Sequence, residues 1–349
     1  MTRSRFLLAM FLPLGLAACG GKVTLDRAEQ DAGAEADPGS TSSSNPAAAT
    51  PCSGAGGSPG PAGRPVVLAH VASPALVAVD CSNLYVAPYE TGAVTAVSLG
   101  DGSTTVLNPV AATTVAVDAT HVYSVSPGGG DEPQGLVVAC LKSGCGAGYS
   151  AVATGQANVW GVATDGDSVY FTNQGPPGAV LKAPAEGGPS TALVEQGSAT
   201  AVAIAGGRVF FSGFTQGGSA LLMSVPTGGG PTTALFAPDG GNSVEGLTAD
   251  ETRVYFSTTD GLVGQMAAGG GPLVTLATGQ GNGILGLAVD DQDVYWAASE
   301  QGAIVRAPIG GGAVTTLATN QAGPIGIAVD ASNVYWTNRG DGTVMKLAK

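Results

Sequence analysis

Six aspartates stand at equivalent places in the chain. Asp80, Asp118, Asp165, Asp250, Asp290 and Asp330 each end a short apolar run. Carboxylates repeated in this way suit two tasks. A ring of them could hold a divalent cation such as Ca²⁺, or each could fold its own turn by accepting backbone N–H bonds. A ligand set needs its members at one point, whereas a turn-building residue recurs with the turn. One aspartate per unit, with Ala205 at the same place in a further unit, fits the turn. No metal site and no cofactor are therefore expected, Ca²⁺ being the one ion that loop carboxylates would hold. General acid–base chemistry is poorly supplied, because the sequence has only two histidines. His70 falls near a strand and His121 in a turn, and no catalytic residues are assigned.

The elements that position these residues form a repeat. Val77-Ala78-Val79-Asp80 is followed by Leu84-Tyr85-Val86, and the same apolar run, polar turn and aromatic-led run return through Ile327-Ala328-Val329-Asp330 and Val334-Tyr335-Trp336. The fourth position falls at 80, 118, 165, 205, 250, 290 and 330, a spacing suited to a four-stranded propeller blade of ~40–50 residues. Each unit continues with two more strands around a Gly-rich turn, as at Gly228-Gly229-Gly230, Gly269-Gly270-Gly271 and Gly310-Gly311-Gly312. Glycine supplies the positive φ that tight hairpins require. The last unit stops after its third strand, and Val66-Val67-Leu68-Ala69 resembles the outer-strand sequence Thr315-Thr316-Leu317-Ala318. The expected fold is all-β: a seven-bladed β-propeller of four-stranded blades, closed by an N-terminal outer strand that completes the last blade. An open array would leave an unpaired edge at each end.

The runs Val334-Tyr335-Trp336-Thr337-Asn338 and Val294-Tyr295-Trp296 resemble those of NHL-type and YWTD-type propellers, over about 66–349. The resemblance implies the fold and no activity. Such relatives are usually six-bladed, whereas seven units are present here. Enzymes resembling gluconolactonases place Glu, Asn and Asp around the central pocket, and streptogramin lyases use His; neither pattern is found.

Strand direction places the outer-to-inner and second-to-third-strand connections on one face, opposite the Asp and Gly-rich turns. The variable residues belong to that loop face: Tyr89, Glu90, Asp131, Glu132, Trp160, Asp239, Glu245, Glu300, Arg339 and Asp341. These are the binding candidates, since variable loops on a rigid scaffold carry recognition. Arg339-Gly340-Asp341 spells an integrin-type tripeptide, but it falls in an expected turn.

The N-terminus has the order of an export signal: Arg3 and Arg5, an apolar stretch from Phe6 to Leu16, then small residues before Cys19. Leu16-Ala17-Ala18-Cys19 resembles the lipobox of bacterial lipoproteins. That resemblance implies a signal peptide over 1–18, lipidation of Cys19 and attachment to the cell envelope. Gly20 in place of Asp favours the outer membrane. Residues 19–63, rich in Ala, Gly, Ser, Thr and Pro, read as a disordered tether, and 64–349 as the propeller. Cys52, Cys81, Cys140 and Cys145 allow three pairings in an oxidising compartment. Cys140 with Cys145, closing a small loop, leaves Cys52 for Cys81.

The formal charge of −13 becomes −15 once Arg3 and Arg5 leave with the signal peptide. That balance disfavours nucleic acid as a partner. The expectation is a monomeric, non-enzymatic binding or scaffold protein, held to the membrane by its anchor and offering the loop face to a protein or glycan. The alternative is an extracytoplasmic lactonase- or lyase-like hydrolase using loop carboxylates and a divalent cation.

Overall fold

The computed structural model describes residues 63–349 except 90–91, 108–109, 129–134, 147, 176–177, 196–197 and 216–217. The expectations for Cys19, Cys52, Glu90, Asp131 and Glu132 lie outside the described residues, as do the signal peptide and nearly all of the tether. The described strands form seven four-stranded antiparallel sheets. Their inner strands touch in a closed cycle, each meeting the next and the seventh (Pro324–Val329) meeting the first (Pro74–Val79). This is the expected seven-bladed propeller, and the described residues contain no helix.

The hydrophobic core lies between blades rather than at one centre. Each of seven apolar clusters spans two neighbouring blades. At the seam between blades 7 and 1, for example, Ala328, Tyr335 and Val344 pack against Val77, Leu84 and Val97. Alternate residues of a strand point to opposite faces, so each sheet serves two seams. The small inner residues Ala78, Ala116, Ala163, Ala203, Ala288 and Ala328 let neighbouring sheets approach the fully buried aromatics, which include Tyr85, Tyr170, Trp296 and Trp336.

The ring closes through its first strand. Val66–His70 pairs antiparallel with Thr343–Ala348, matching Ala69 to Val344 and Val67 to Met345, so that Leu68 is skipped. In blade 6 the outer strand Thr315–Ala318 pairs the same way: Ala318 faces Ile304, Thr316 faces Val305, and Leu317 is skipped. Thus Leu68 and Ala69 take the places of Leu317 and Ala318. The β-bulge is copied with the sequence, which fixes the closing register.

The repeated aspartates fold turns, and they do more than the sequence alone suggested. In blade 2 the Asp118 Oδ1 accepts the backbone N–H groups of Thr120 and His121, both at 2.7 Å, while Oδ2 accepts the Tyr123 hydroxyl at 2.7 Å. The same latch joins Asp80 to Tyr85, Asp165 to Tyr170, Asp250 to Tyr255, Asp290 to Tyr295 and Asp330 to Tyr335. Burial pushes the Asp118 and Asp250 carboxyls up, but the tyrosine hydroxyls and backbone N–H groups outweigh it and hold both below the usual carboxylate range. Blade 4 lacks both halves of the latch, having Ala205 and Phe210. Its turn is a two-residue hairpin in which Ala205 faces Arg208, with Gly206 at φ 54° and Gly207 at φ 70°. Two consecutive left-handed residues make a type I′ turn, which needs no side-chain acceptor.

Candidate functional site

The loop-face ends of the inner strands carry the residues that do not repeat. Counting back five from the latch position gives Ala75, Thr113, Trp160, Thr200, Glu245, Leu285 and Ile325 in blades 1 to 7. In blades 1, 3, 4, 5 and 7 the pairing of the inner strand with its neighbour shifts at this point, so two consecutive residues lack direct partners. Such a bulge re-aims side chains. The second bulged residue is turned toward the next blade. A Cβ on Gly326 would lie 2.2 Å from the Ala75 carbonyl oxygen, and one on Gly161 2.6 Å from that of Thr200. The first bulged residue is the one that varies.

These positions divide into two arcs. Ala75, Leu285 and Ile325, from blades 1, 6 and 7, meet in one apolar cluster with Leu76, and Tyr89 packs against it. Thr113, Trp160, Thr200 and Glu245 form a polar arc over blades 2 to 5. Within it the Thr200 hydroxyl is bonded to the Ser212 hydroxyl at 2.8 Å. Glu245 is buried, with 3% of its surface exposed, and its Oε2 accepts the Gly283 N–H at 3.1 Å. Glu300 accepts the neighbouring Asn282 N–H at 2.8 Å. Two carboxylates from different blades thus tie down the connection that leads into blade 6.

A hydroxyl on the second strand of several blades bolts the arcs together. Thr172 accepts the Gly161 N–H at 2.8 Å and donates to the Thr200 carbonyl of the next blade at 2.6 Å. Ser257 does the same between Gly246 and Ile284, and Thr337 between Gly326 and Ala75. Each relay satisfies a donor freed by the bulge and an acceptor on the adjoining blade. The last one crosses the closing seam.

The expected binding residues separate on this frame. Trp160 and Glu245 lie within the inner strands Val159–Thr164 and Val244–Ala249, not in loops, because the bulge turns strand residues toward the loop face. Tyr89 and Arg339 come together across the closing seam, the guanidinium carbon 3.3 Å from the ring centroid, a cation–π contact. Asp341 is used by its own turn, where it accepts the Thr343 N–H and hydroxyl. Asp239 is exposed, and its carbonyl accepts the Asn242 side chain. His70 ends the outer closing strand, and His121 lies in the latch turn of the opposite face, bonded to Thr120. Cys140 and Cys145 form a disulfide, as their spacing suggested, and Cys81 is also disulfide-bonded. No group of three or more His, Cys, Asp or Glu is placed to hold a metal among the described residues.

Three partnerships were not foreseen from sequence. The tyrosine half of the latch was legible in principle, since Ala205 and Phe210 lose both partners together. The hydroxyl relays recur seven residues after the latch position, at Thr172, Ser257 and Thr337, but their acceptors lie on another blade. The indole N–H groups of Trp296 and Trp336 donate to Gln280 and Gln321, at 3.1 and 2.8 Å. Those glutamines end the run Ala-Thr-x-Gln, which recurs at 153–156, 277–280 and 318–321, but their indole partners lie on another strand.

No family model and no curated protein matches the sequence. Among solved structures, the chain is similar to virginiamycin B lyase from Staphylococcus aureus, at 12% identity and a TM-score of 0.65, over 82% of this chain and 98% of that one. A catalytically inactive His-to-Ala form of that lyase, solved with quinupristin, gives 13% and 0.63, over 79% and 95%. Kuenenia stuttgartiensis hydrazine synthase gives 14% and 0.64, over 80% and 96%. At such identities the likeness is one of fold. The class of protein defined here is a seven-bladed β-propeller with four-stranded blades.

Proposed function

We propose that this chain is a cell-envelope binding protein whose loop face receives a protein or glycan, with no reaction of its own. One observation carries the reading. The positions that build blades repeat around the ring, whereas the seven at the loop-face ends of the inner strands are Ala, Thr, Trp, Thr, Glu, Leu and Ile, arranged as one apolar and one polar arc. A rigid ring with a non-repeating, amphipathic centre suits recognition. The carboxylates near that centre are engaged in holding backbone, which favours binding over acid–base work.

The likeness to a lyase does not favour catalysis here. An inactivating His-to-Ala change belongs to that lyase, while His70 is on an outer strand and His121 on the opposite face. The reading is tested by screening immobilised glycans and envelope proteins against wild type, W160A, E245Q and the turn-face variant E186A. Binding lost in the first two variants and kept in E186A is expected. Turnover of sugar lactones or polysaccharides, abolished by E245Q, would overturn it.

Membrane attachment belongs to the same proposal. Cys19, in its lipobox-like context, anchors the chain, the signal peptide over 1–18 having been removed, and residues 19–63 act as the tether. A C19A protein is expected in the soluble fraction and without incorporated fatty acid. Membrane retention of C19A would refute the anchor while leaving the loop-face reading intact.

A further inference from the structure

The polar arc and the adjoining Gln174 contain donors that the molecule itself does not use. Thr113 Oγ1, Trp160 Nε1 and Gln174 Nε2 are all buried atoms without a hydrogen-bond partner. Thr113 is only 7% exposed. All three belong to the loop-face ends of blades 2 and 3. Thr113 and Trp160 hold the same position on adjoining inner strands, and those two blades are in contact. Gln174 joins them through Asn158, two residues before Trp160: its backbone N–H donates to the Asn158 carbonyl at 3.0 Å, and its side-chain oxygen accepts the Asn158 amide at 3.1 Å.

Equivalent positions elsewhere are satisfied, although in blade 5 Thr248 Oγ1 and Gln265 Oε1, at other places in the repeat, are also unpartnered. At the same position in blades 4 and 5, Thr200 and Glu245 are bonded to Ser212 and Gly283. The other two tryptophans donate to glutamines. Asn173 Oδ1, beside Gln174, is also unpartnered, but so is Asn338 Oδ1 at the corresponding place in blade 7. The Asn173 oxygen is therefore a feature of the repeat. Thr113, Trp160 and Gln174 have no such counterpart.

A buried donor without an acceptor loses its bond to water and gains none in return. Three in one place make sense where something outside the chain accepts from them. The groups are a hydroxyl, an indole N–H and a primary amide, with no charge among them. Among the described residues there, a phosphate or carboxylate would find no cation, and the chain carries net charge −13. Among the same residues no group is placed to hold a metal ion. Neutral donors beside a half-buried indole ring match the hydroxyls and the C–H face of a sugar ring.

We infer that the seam between blades 2 and 3 is a subsite for a neutral oligosaccharide, with Trp160 as its aromatic floor and Thr113 and Gln174 as hydrogen-bond donors. The inference rests on the loop-face reading and narrows it to glycans. Tryptophan emission reports on it directly, because Trp296 and Trp336 are fully buried and Trp160 is not.

The test is titration of the full chain with maltohexaose, cellohexaose and chitohexaose, followed by fluorescence and calorimetry. At least one is expected to shift the emission and to bind. Near-isosteric T113V and Q174E are each expected to weaken that binding about 3- to 10-fold, the worth of one hydrogen bond. W160F keeps a ring and loses the N–H, and should weaken it similarly. Should W160F fail to fold, T113V and Q174E still decide. No response to any of the three sugars, or wild-type affinity in both T113V and Q174E, overturns the subsite. If the sugars are inert while an envelope-protein ligand is lost on E245Q, the subsite falls and the loop-face reading stands.

Discussion

The hydroxyl of Thr337 carries the sharpest stability prediction, because it ties the second strand of blade 7 to the inner strand of blade 1 across a sequence separation of 262. It accepts the Gly326 N–H at 2.9 Å and donates to the Ala75 carbonyl at 2.5 Å, and Thr337 is fully buried. Thr337→Val keeps the shape and removes both bonds. It leaves a buried N–H and a buried carbonyl facing a methyl group. Each bond contributes about 1 kcal/mol net, and each stranded group costs about 1–3 kcal/mol in desolvation. Because these overlap, the expected loss is about 3 kcal/mol. At about 2–4 °C per kcal/mol for a large domain, the midpoint should fall by about 6–12 °C. Thr337→Ser, which keeps the hydroxyl and loses one methyl, should cost only about 1 kcal/mol. Thermal and urea unfolding, followed by tryptophan emission, read both. A Thr337→Val midpoint within 1 °C of wild type, or equal to that of Thr337→Ser, would refute the claim that this relay holds the seam.

Other predictions concern the turns. Asp118 and Asp250 have folded-state values below their unfolded ones, so the stability they contribute is present above the usual carboxylate range and is lost as pH falls through the lowered folded values. Midpoints measured from pH 6 downward should drop on entering that window, and D118N with D250N should flatten the drop. Burial foremost, then the Asp118 carboxylate, raises the Tyr123 hydroxyl, with the equivalent effect at Tyr255; stability should therefore also fall above the ordinary tyrosine range near 10, less steeply in Y123F. In blade 4, a Cβ on Gly207 meets nothing within 4 Å, so Gly207→Ala isolates backbone strain at φ 70°. It should cost about 1–2 kcal/mol, and Gly207→Asn less, since Asn tolerates the left-handed region. Equal midpoints for the two would contradict that account.

Much of the fold was legible because propeller construction is local and repeated. Each blade states the same terms in the same order, and the bulge at Leu68 matches the one at Leu317. The binding centre was less legible for the opposite reason. Trp160 and Glu245 read as loop residues, since each stands before a recognisable Val-Ala or Leu-Thr run. Only the pairing shift places them inside strands. Glu245 in particular reads as a solvated carboxylate and proves buried on a backbone N–H. Its partner, Gly283, is 38 residues away in another blade, a relation that periodicity within one blade does not encode. Arg339 and Tyr89 are farther apart still, and meet because the ring closes.

The direction of the closing strand has a consequence for how the molecule approaches its surroundings. Val66 pairs near the end of the last strand, opposite Lys346, whereas His70 pairs with Thr343 at that strand's beginning. The chain therefore enters the ring at its outer rim, on the side of the Asp latches, and reaches the loop side only after His70. Trp160, Thr113 and the two arcs lie on the other side of the ring, so the point where the chain joins the propeller is kept apart from the centre that could receive a partner.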